Sequence, residues 1–247
     1  MAKGRGAAAA LVVVLGLVVV WAPSPSLAHV QIGAYNKTCP QAEDIVYREM
    51  TAILGKSPEQ AGPLLRLFSV DCFVGGCEAS ILLDSMPGNT AEKDSPLNKG
   101  VKGYEVVDLI KAKLEDACPG IVSCADTLAL AARDAVRLSK GPYIALPTGR
   151  RDGNNSVASN VGPNTPIPGA NITDLVALFA KFNLTTKDLV VLSGAHTIGK
   201  AHCSVRLRIK FSEHSQIKKA HEQETSVVCA AYYGFSFPVV FSSYYAW

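Results

Sequence analysis

The chain has 247 residues, of which 48% are hydrophobic, and a formal net charge of +3 at pH 7. This length suits one large domain with a well-buried core. The small net charge gives no reason to expect a nucleic-acid partner or an anionic membrane surface, because both attract concentrated basic residues.

The first 28 residues have the physical character of a secretion signal. Lys3 and Arg5 make a basic start, an apolar run follows over 7–21, and small residues up to Ala28 suit cleavage. The apolar run is shorter than the roughly 20 residues that a membrane-spanning helix needs, so an uncleaved anchor is the less favoured alternative. We expect residues 1–28 to be removed, leaving no membrane span and a formal net charge of +1.

Helical periodicity organises the region that follows. Apolar side chains recur at helical spacing in three stretches: Ile45, Val46, Met50, Ile53 and Leu54; Val106, Val107, Ile110 and Leu114; and Leu175, Leu178, Phe179 and Phe182. Pro40 is the expected start of the first stretch. Residues 141–170 are rich in Gly, Pro and Asn and predict a loop. No run of alternating strands is evident, so the predicted fold class is all-α.

Capping residues mark three helix starts. Ser123 and Asp126 predict a capping box before an Ala/Leu-rich helix that ends near Leu138. Asn171 is a predicted N-cap, and Thr185 begins another helix. These signals agree with the periodicity and support the all-α prediction.

The last stretch, 212–247, lacks this order. It turns polar and then aromatic, with eight of the chain's aromatic residues between Tyr232 and Trp247 and no helical period. We interpret 212–247 as foreign to the fold, arising from alternative splicing or a gene-model error. The alternative is a functional extension that buries an aromatic patch. The predicted domain therefore covers residues 29–211.

Cysteines and glycosylation signals both indicate an oxidising, extracytoplasmic compartment. All seven cysteines lie beyond the predicted signal, and we expect most of them to be paired. Their odd number leaves one free or intermolecular. Four N-glycosylation signals fit a secreted glycoprotein, at Asn36, Asn154, Asn171 and Asn183.

Two short segments carry the chemistry. The first reads RLFSVDCFVGGC over residues 66–77, and the second reads LSGAHTIG over residues 192–199. Together they resemble the two haem-facing signatures of the secreted plant (class III) peroxidases, and the resemblance extends from about Val30 to Phe211. It implies a haem peroxidase fold, incomplete at the C-terminus, with haem b as cofactor. It also implies a secreted monomer, in the cell wall or the vacuole, that reduces H₂O₂ and oxidises small phenolic donors.

The resemblance assigns roles to individual residues. Arg66 matches the arginine that stabilises charge on the leaving oxygen of the peroxide, although many arginines simply extend into solvent. Val70 stands where the family has its proton-transferring histidine, and valine can transfer no proton. His196 matches the proximal ligand of the haem iron. Pro166 matches a residue at the entrance for reducing substrates, and Asn98 matches the asparagine that orients the missing histidine.

The resemblance also implies calcium. Six positions match the distal Ca²⁺ site of the family with carboxylate, carbonyl and hydroxyl oxygens, namely Asp71, Val74, Gly76, Glu78, Ser80 and Glu92. The family usually has aspartate where this chain has Glu78. Thr197 matches one ligand of a second, proximal Ca²⁺ site. Its other ligands have no match in the sequence, so we expect this second site to be incomplete.

Three disulfides are implied by the resemblance. They are Cys39–Cys118, Cys72–Cys77 and, at a shorter spacing than usual, Cys203–Cys229. Cys124 normally pairs near a C-terminus that this chain lacks. One of Cys124, Cys203 and Cys229 is therefore left over, and spacing alone does not choose among them.

Three hypotheses follow for function. The protein is a working secreted peroxidase, a haem- and calcium-binding relative with little turnover, or a truncated product that does not fold stably. Val70 argues against the first, because general acid–base catalysis typically contributes about 10²–10⁴-fold. The carboxylate that holds the proximal imidazole in the family also has no equivalent in this sequence, which weakens haem binding.

Overall fold

The computed structural model describes residues 30–167 and 169–199, and the structural statements below concern these residues. The predicted signal peptide, the predicted tail over 212–247 and the predicted Cys203–Cys229 disulfide lie outside them.

Helices account for the regular structure of the described residues. There are seven α-helices, which are α1 (Ala42–Lys56), α2 (Ala61–Gly75), α3 (Tyr104–Ala117), α4 (Cys124–Leu138), α5 (Val161–Asn164), α6 (Ile172–Lys181) and α7 (Thr186–Ala195). Short 3₁₀ turns lie at Pro58–Gln60, Ser80–Leu82, Glu92–Asp94, Pro96–Asn98 and Ala158–Asn160. Pairing of β type in the described residues is limited to isolated bridges. The all-α prediction is confirmed.

Most helix boundaries follow from their capping residues. The Asn171 side chain accepts a hydrogen bond from the Asp174 amide at 2.9 Å at the start of α6. Thr185 and Asp188 form a complete capping box at the start of α7. The first helix begins at Ala42 rather than at Pro40, which lies in the preceding turn.

The predicted capping box at the start of α4 is only half correct. Ser123 accepts a hydrogen bond from the Asp126 amide at 3.1 Å, as an N-cap should. The Asp126 carboxylate, however, does not return to the Ser123 amide. It accepts instead from the Tyr35 hydroxyl at 2.7 Å, the Gly149 amide at 2.6 Å and the Arg150 guanidinium at 2.9 Å. These partners tie α4 to two distant loops.

Two hydrophobic clusters form the core. The larger one joins α1, α2, α3 and α4, and its fully buried side chains include Met50, Leu64, Leu67, Ile110, Leu114 and Leu128. The smaller one joins α2 to α6 and α7 through Phe73, Leu175, Phe179 and Leu189. Because α2 contributes to both clusters, it is the structural centre of the described region. Its sequence is also the first of the two chemical segments.

Further cross-links hold α1 to α3 and α4. The Cys39–Cys118 disulfide joins the residues that flank α1 and α3, with a sequence separation of 79. The buried Arg133 on α4 donates to Asp134 at 2.9 Å and to Glu43 on α1 at 2.5 Å.

No helix in the described part of the chain has both the length and the apolar character needed to cross a bilayer.

Candidate functional site

Arg66 and Val70 lie one turn apart on α2 but differ in environment. Val70 is 6% exposed and packs in the larger hydrophobic cluster. Arg66 is exposed, and its Nη2 reaches the Leu97 carbonyl at a long 3.5 Å. The two positions therefore lie at the edge of the buried face of α2. Val70 faces the core, and the Arg66 guanidinium lies on the exposed side of the helix, called the open side below. The contact with Leu97 brings the Pro96–Asn98 turn alongside the helix.

Asn98 carries an unused acceptor in this turn. The residue is 2% exposed, and its Nδ2 donates to the Glu92 carbonyl at 2.8 Å. This bond identifies the nitrogen, because a carbonyl can only accept. Asn98 Oδ1 is buried and makes no hydrogen bond within the described structure. Leaving a buried polar atom unpaired typically costs about 1–3 kcal/mol.

His196 caps the C-terminal end of α7. Its Nδ1 lies 2.8 Å from the Leu192 carbonyl one turn earlier, so Nδ1 carries the proton and Nε2 keeps a lone pair. Burial lowers the pKa of the imidazole, and the positive charge of Arg66 lowers it further. His196 is therefore neutral at pH 7, which is the form that ligates a metal.

The structure brings the two chemical segments together. A β-carbon placed on Gly62, near the start of α2, would lie 2.5 Å from Gly199 Cα. Ile198 packs against the larger hydrophobic cluster. The end of the second segment is thus seated directly on α2, and His196 lies within the electrostatic reach of Arg66. This juxtaposition is what two haem-facing segments require.

The described residues fit haem on the His196 side. A neutral imidazole is the nitrogen donor that haem iron takes in many proteins. Val70 has no group that can transfer a proton, and its assignment to the position of the proton-transferring histidine stays a prediction. Pro166 is buried in the loop after α5, a helix that contacts α2. Its assignment to the substrate entrance stays a prediction.

A tight loop follows α2 and holds the predicted calcium ligands. The Cys72–Cys77 disulfide closes it, and Gly76 ends α2 in the left-handed conformation with φ of +84°. Asp71 is 1% exposed and accepts hydrogen bonds from the Ala79 amide at 2.9 Å and the Ile81 amide at 3.4 Å. The loop is therefore folded around the Asp71 carboxylate.

Buried oxygens without partners surround this carboxylate. Ser80 Oγ and Glu92 Oε2 are buried and have no hydrogen-bond partner of good geometry within the described structure, although the Ser80 hydroxyl lies close to the Glu92 carboxyl group. Burial raises the pKa of Asp71 to about 6, and the negative charges of Glu78 and Asp152 add to this effect. Burial also raises the pKa of Glu92. Such a group of acids and unpaired oxygens suits a hard cation.

The donor set fits calcium only as a mixed site. No three His, Cys, Asp or Glu side chains in the described part of the chain cluster closely enough to hold a metal by themselves. Carbonyl oxygens of Val74 and Gly76 and the Ser80 hydroxyl would have to complete the shell, as Ca²⁺ accepts. Thr197 is exposed after α7, and among the described residues no such cluster lies beside it.

Asp152 holds the start of α4, a contact that the sequence patterns did not predict. Its carboxylate accepts from the Cys124 amide at 3.0 Å and the Ala125 amide at 2.8 Å. These amides lie at least 27 residues away in sequence, so no local pattern identifies the contact.

The Cys124 thiol forms no disulfide with a described residue, and burial raises its pKa. Its predicted alternatives, Cys203 and Cys229, lie outside the described residues.

Fold and site together define an all-α protein of the haem peroxidase type. The family model described as Peroxidase matches residues 46–243. The chain is 55% identical over 169 residues to Peroxidase 1 of Oryza sativa subsp. japonica, covering 68% of this chain and 52% of that protein. It is 49% identical over 180 residues to Peroxidase 3 of Arabidopsis thaliana, covering 73% of this chain and 55% of that protein.

The chain therefore belongs to the peroxidase family, and these relatives are plant peroxidases. It spans about half the length of the curated relatives it matches. The family match continues into the stretch over 212–247. The domain boundary at residue 211 stays a prediction.

Proposed function

We propose that this protein is a secreted haem peroxidase relative that binds haem b through His196 and reduces H₂O₂ slowly. When bound, haem supplies the iron at which peroxide is reduced and the oxidising equivalents that pass to a small phenolic donor. The residues of the chain must bind this group, position the peroxide and move its proton. Candidate residues exist for binding haem and for positioning the peroxide, but none exists for moving the proton.

The observation that carries this proposal is the environment of Val70. A buried valine, packed among apolar side chains, stands at the position that must accept and return a proton. General acid–base catalysis contributes about 10²–10⁴-fold, so the loss is large even if all other groups are in place. Ser69 is the nearest hydroxyl in sequence, but a serine hydroxyl is a poor base at pH 7.

Arg66 keeps a part of the chemistry. Its guanidinium is always charged and lies on the open side of α2, where it would stabilise negative charge on an oxygen that leaves the peroxide. His196 would hold the iron, with its ring oriented by the Leu192 carbonyl. A carbonyl is a weaker partner than the carboxylate expected for the family, so the imidazole is a less basic ligand.

Calcium would stabilise the loop beyond α2. The oxygens of Asp71, Glu78, Ser80 and Glu92, with the carbonyl of Val74 and that of Gly76, would bind a single Ca²⁺. The unpaired buried oxygens support this assignment, because a cation would satisfy them.

The cysteine pairs at 39–118 and 72–77 support a secreted protein, since disulfides persist in oxidising compartments. We propose a monomer of the cell wall or vacuole.

A second function is favoured by the contrast between the two sites. The proposed calcium loop has an oxygen-bearing group at each of the six matching positions, whereas the position of the proton-transferring histidine holds Val70. This contrast suits a haem- and calcium-binding protein that acts by binding and has no turnover. The third hypothesis, a mis-spliced product that does not fold, predicts neither haem nor calcium binding.

One experiment separates these functions. The secreted full chain and its Val70→His variant are reconstituted with haem, and the Soret spectrum and the rate of phenol oxidation by H₂O₂ are measured. The proposal expects a Soret band in both proteins and a rate about 10²–10⁴-fold higher in the variant. Equal rates would contradict our interpretation of Val70. A Soret band with no turnover in either protein favours the binding function, and no Soret band favours the misfolded product.

A further inference from the structure

We infer that Gly153 is a positioning residue that lets Glu78, one methylene longer than aspartate, take its place in the proposed calcium site. This inference rests on the proposed calcium site. It concerns a residue that lies 75 positions away from Glu78 in sequence and outside the ligand loop.

The space next to the Glu78 carboxyl group exists only because residue 153 is glycine. A β-carbon placed on Gly153 would lie 2.5 Å from Glu78 Cδ, 2.7 Å from Oε1 and 2.8 Å from Cγ. Side-chain carbons in proteins do not approach within 3.0 Å in this way. The backbone of Gly153 is not in the left-handed region, so its conformation is open to other residues. Glycine is needed here for space.

A second glycine bounds the same carboxyl group from α2. A β-carbon placed on Gly75 would lie 3.1 Å from both Cγ and Oε1 of Glu78, and it would also collide with Ser80 Oγ. The Glu78 side chain therefore lies between two glycines, one on α2 and one on the loop after Arg150. A change at Gly75 would disturb two proposed ligands at once. The three atoms nearest to a β-carbon on Gly153 all belong to Glu78, so Gly153 is the cleaner test.

The backbone at Gly153 cannot easily move aside. Its amide donates to the Glu78 carbonyl at 2.7 Å, which pins this loop to the calcium loop. The preceding Asp152 is held by the amides of Cys124 and Ala125 at the start of α4. Because the Gly153 amide and the preceding Asp152 side chain are both held, we expect the flexible end of the Glu78 side chain to give way to a methyl group. The displaced group is the proposed Ca²⁺ ligand, so metal affinity changes more than folding does.

The test is a comparison of Ca²⁺ affinity in glycine variants. The secreted full chain is stripped with a chelator, and Ca²⁺ binding is measured by calorimetry and by the Ca²⁺-dependent rise in Tm. We expect Gly153→Ala to lower Ca²⁺ affinity about 10-fold or more, as for changes next to other metal ligands. The Tm without Ca²⁺ should stay near that of the wild type. Gly55→Ala is the matched control, since a β-carbon there meets no atom within 4 Å.

A double variant tests whether the effect acts through Glu78. The Glu78→Ala change removes all three atoms that the added methyl group would meet, Cγ, Cδ and Oε1, and leaves the other proposed calcium ligands in place. Gly153→Ala should therefore cost less Ca²⁺ affinity in the Glu78→Ala background than in the wild type. An equal loss in both backgrounds would overturn the inference.

The remaining outcomes separate this inference from the calcium site itself. Wild-type binding with no change in Gly153→Ala would leave the calcium site in place and overturn the role of Gly153. No Ca²⁺ binding by the wild type would overturn both. If Gly153→Ala alone fails to fold and the double variant folds, the steric contact with Glu78 is supported. If neither folds, the contact extends beyond the Glu78 side chain and the inference is wrong.

Discussion

At the scale of single residues, Asn98 is a buried side chain whose acceptor has no partner. Its Nδ2 donates to the Glu92 carbonyl, whereas its buried Oδ1 has no hydrogen-bond donor within the described structure. Neither Val70 nor any other apolar side chain can supply one. The chain thus retains an acceptor at the position where the family uses it to orient the histidine.

We predict that a histidine at position 70 would restore both the proton transfer and a use for Asn98. Val70→His should oxidise phenols faster than wild type, and adding Asn98→Ala to it should remove part of that gain. In the wild-type background Asn98→Ala should lower the rate much less, because there is no imidazole to orient and only the hydrogen bond to the Glu92 carbonyl is lost. Steady-state rates of the four proteins measure this coupling. An equal effect of Asn98→Ala in both backgrounds would contradict the prediction.

At the scale of elements, α2 and the end of α7 are in direct backbone contact. A β-carbon on Gly62 would lie 2.5 Å from Gly199 Cα, and one on Gly199 would lie 3.2 Å from Gly62 Cα, so little room is left for a side chain between the two backbones. Unlike the contact of Gly153 with a flexible side chain, this contact joins two main chains. Because Gly199 follows His196 by three residues, we expect the contact to affect how His196 faces the side of α2 that carries Arg66.

We predict that Gly62→Ala would push these two elements apart. Overpacking at a rigid contact typically costs about 1–3 kcal/mol. The Soret titration of the variant should therefore show weaker haem binding than wild type. Gly55→Ala on α1 again serves as control, because open space surrounds it. Unchanged haem affinity in Gly62→Ala would show that the contact does not position His196.

The pairing of α1 with α4 depends on a buried charge. Arg133 and Asp134 are buried side by side, and Arg133 also reaches Glu43 on α1. Burial raises the pKa of Asp134, and the neighbouring Arg133 charge partly offsets this effect. Arg133 thus joins the two helices through Glu43, while Asp134 on the same helix balances its buried charge.

We predict that Arg133→Ala would destabilise the protein by about 3–5 kcal/mol, because it leaves the buried Asp134 carboxylate without its partner. Arg137→Ala, on the exposed side of the same helix, should cost much less. Arg137 stacks on the rings of Tyr47 and Tyr143, a surface interaction of about 0.5–1 kcal/mol. Urea unfolding of the two variants compares them directly. Similar losses would contradict the buried-pair explanation.

At the scale of the whole described region, the two disulfides have different tasks. Cys39–Cys118 closes a long loop that contains α1, α2 and α3, whereas Cys72–Cys77 closes only the turn around the proposed calcium ligands. A long closed loop restricts the unfolded chain more than a short one does. The first disulfide therefore contributes to global stability, and the second mainly shapes a site.

We predict that replacing Cys39 and Cys118 by serine would cost about 4 kcal/mol of unfolding free energy. Replacing Cys72 and Cys77 should cost less global stability and more Ca²⁺ affinity. Denaturant unfolding and Ca²⁺ titration of both double variants separate the two effects. The prediction is wrong if the short disulfide proves the more important one for global stability.

Part of this molecule follows from local sequence alone. The helix starts at Asn171 and Thr185, the apolar faces of α1, α3 and α6, and the all-α class depend on residues a few positions apart, whose interactions form wherever the helix forms. The sequence also identified Val70 as a residue without a proton to transfer, because that property belongs to the side chain itself.

Only the tertiary structure decided which partners the buried polar groups take. Asp126 accepts hydrogen bonds from Tyr35 and Arg150 and does not complete the predicted capping box. Glu78 lies against Gly153, and Asn98 Oδ1 has no donor within the described structure. These partners are distant in sequence, and burial makes each pairing or lack of pairing costly. Local patterns contain no information on partners that are distant in sequence. These contacts depend on how α2 and α4 pack against the loops, which only the tertiary structure determines.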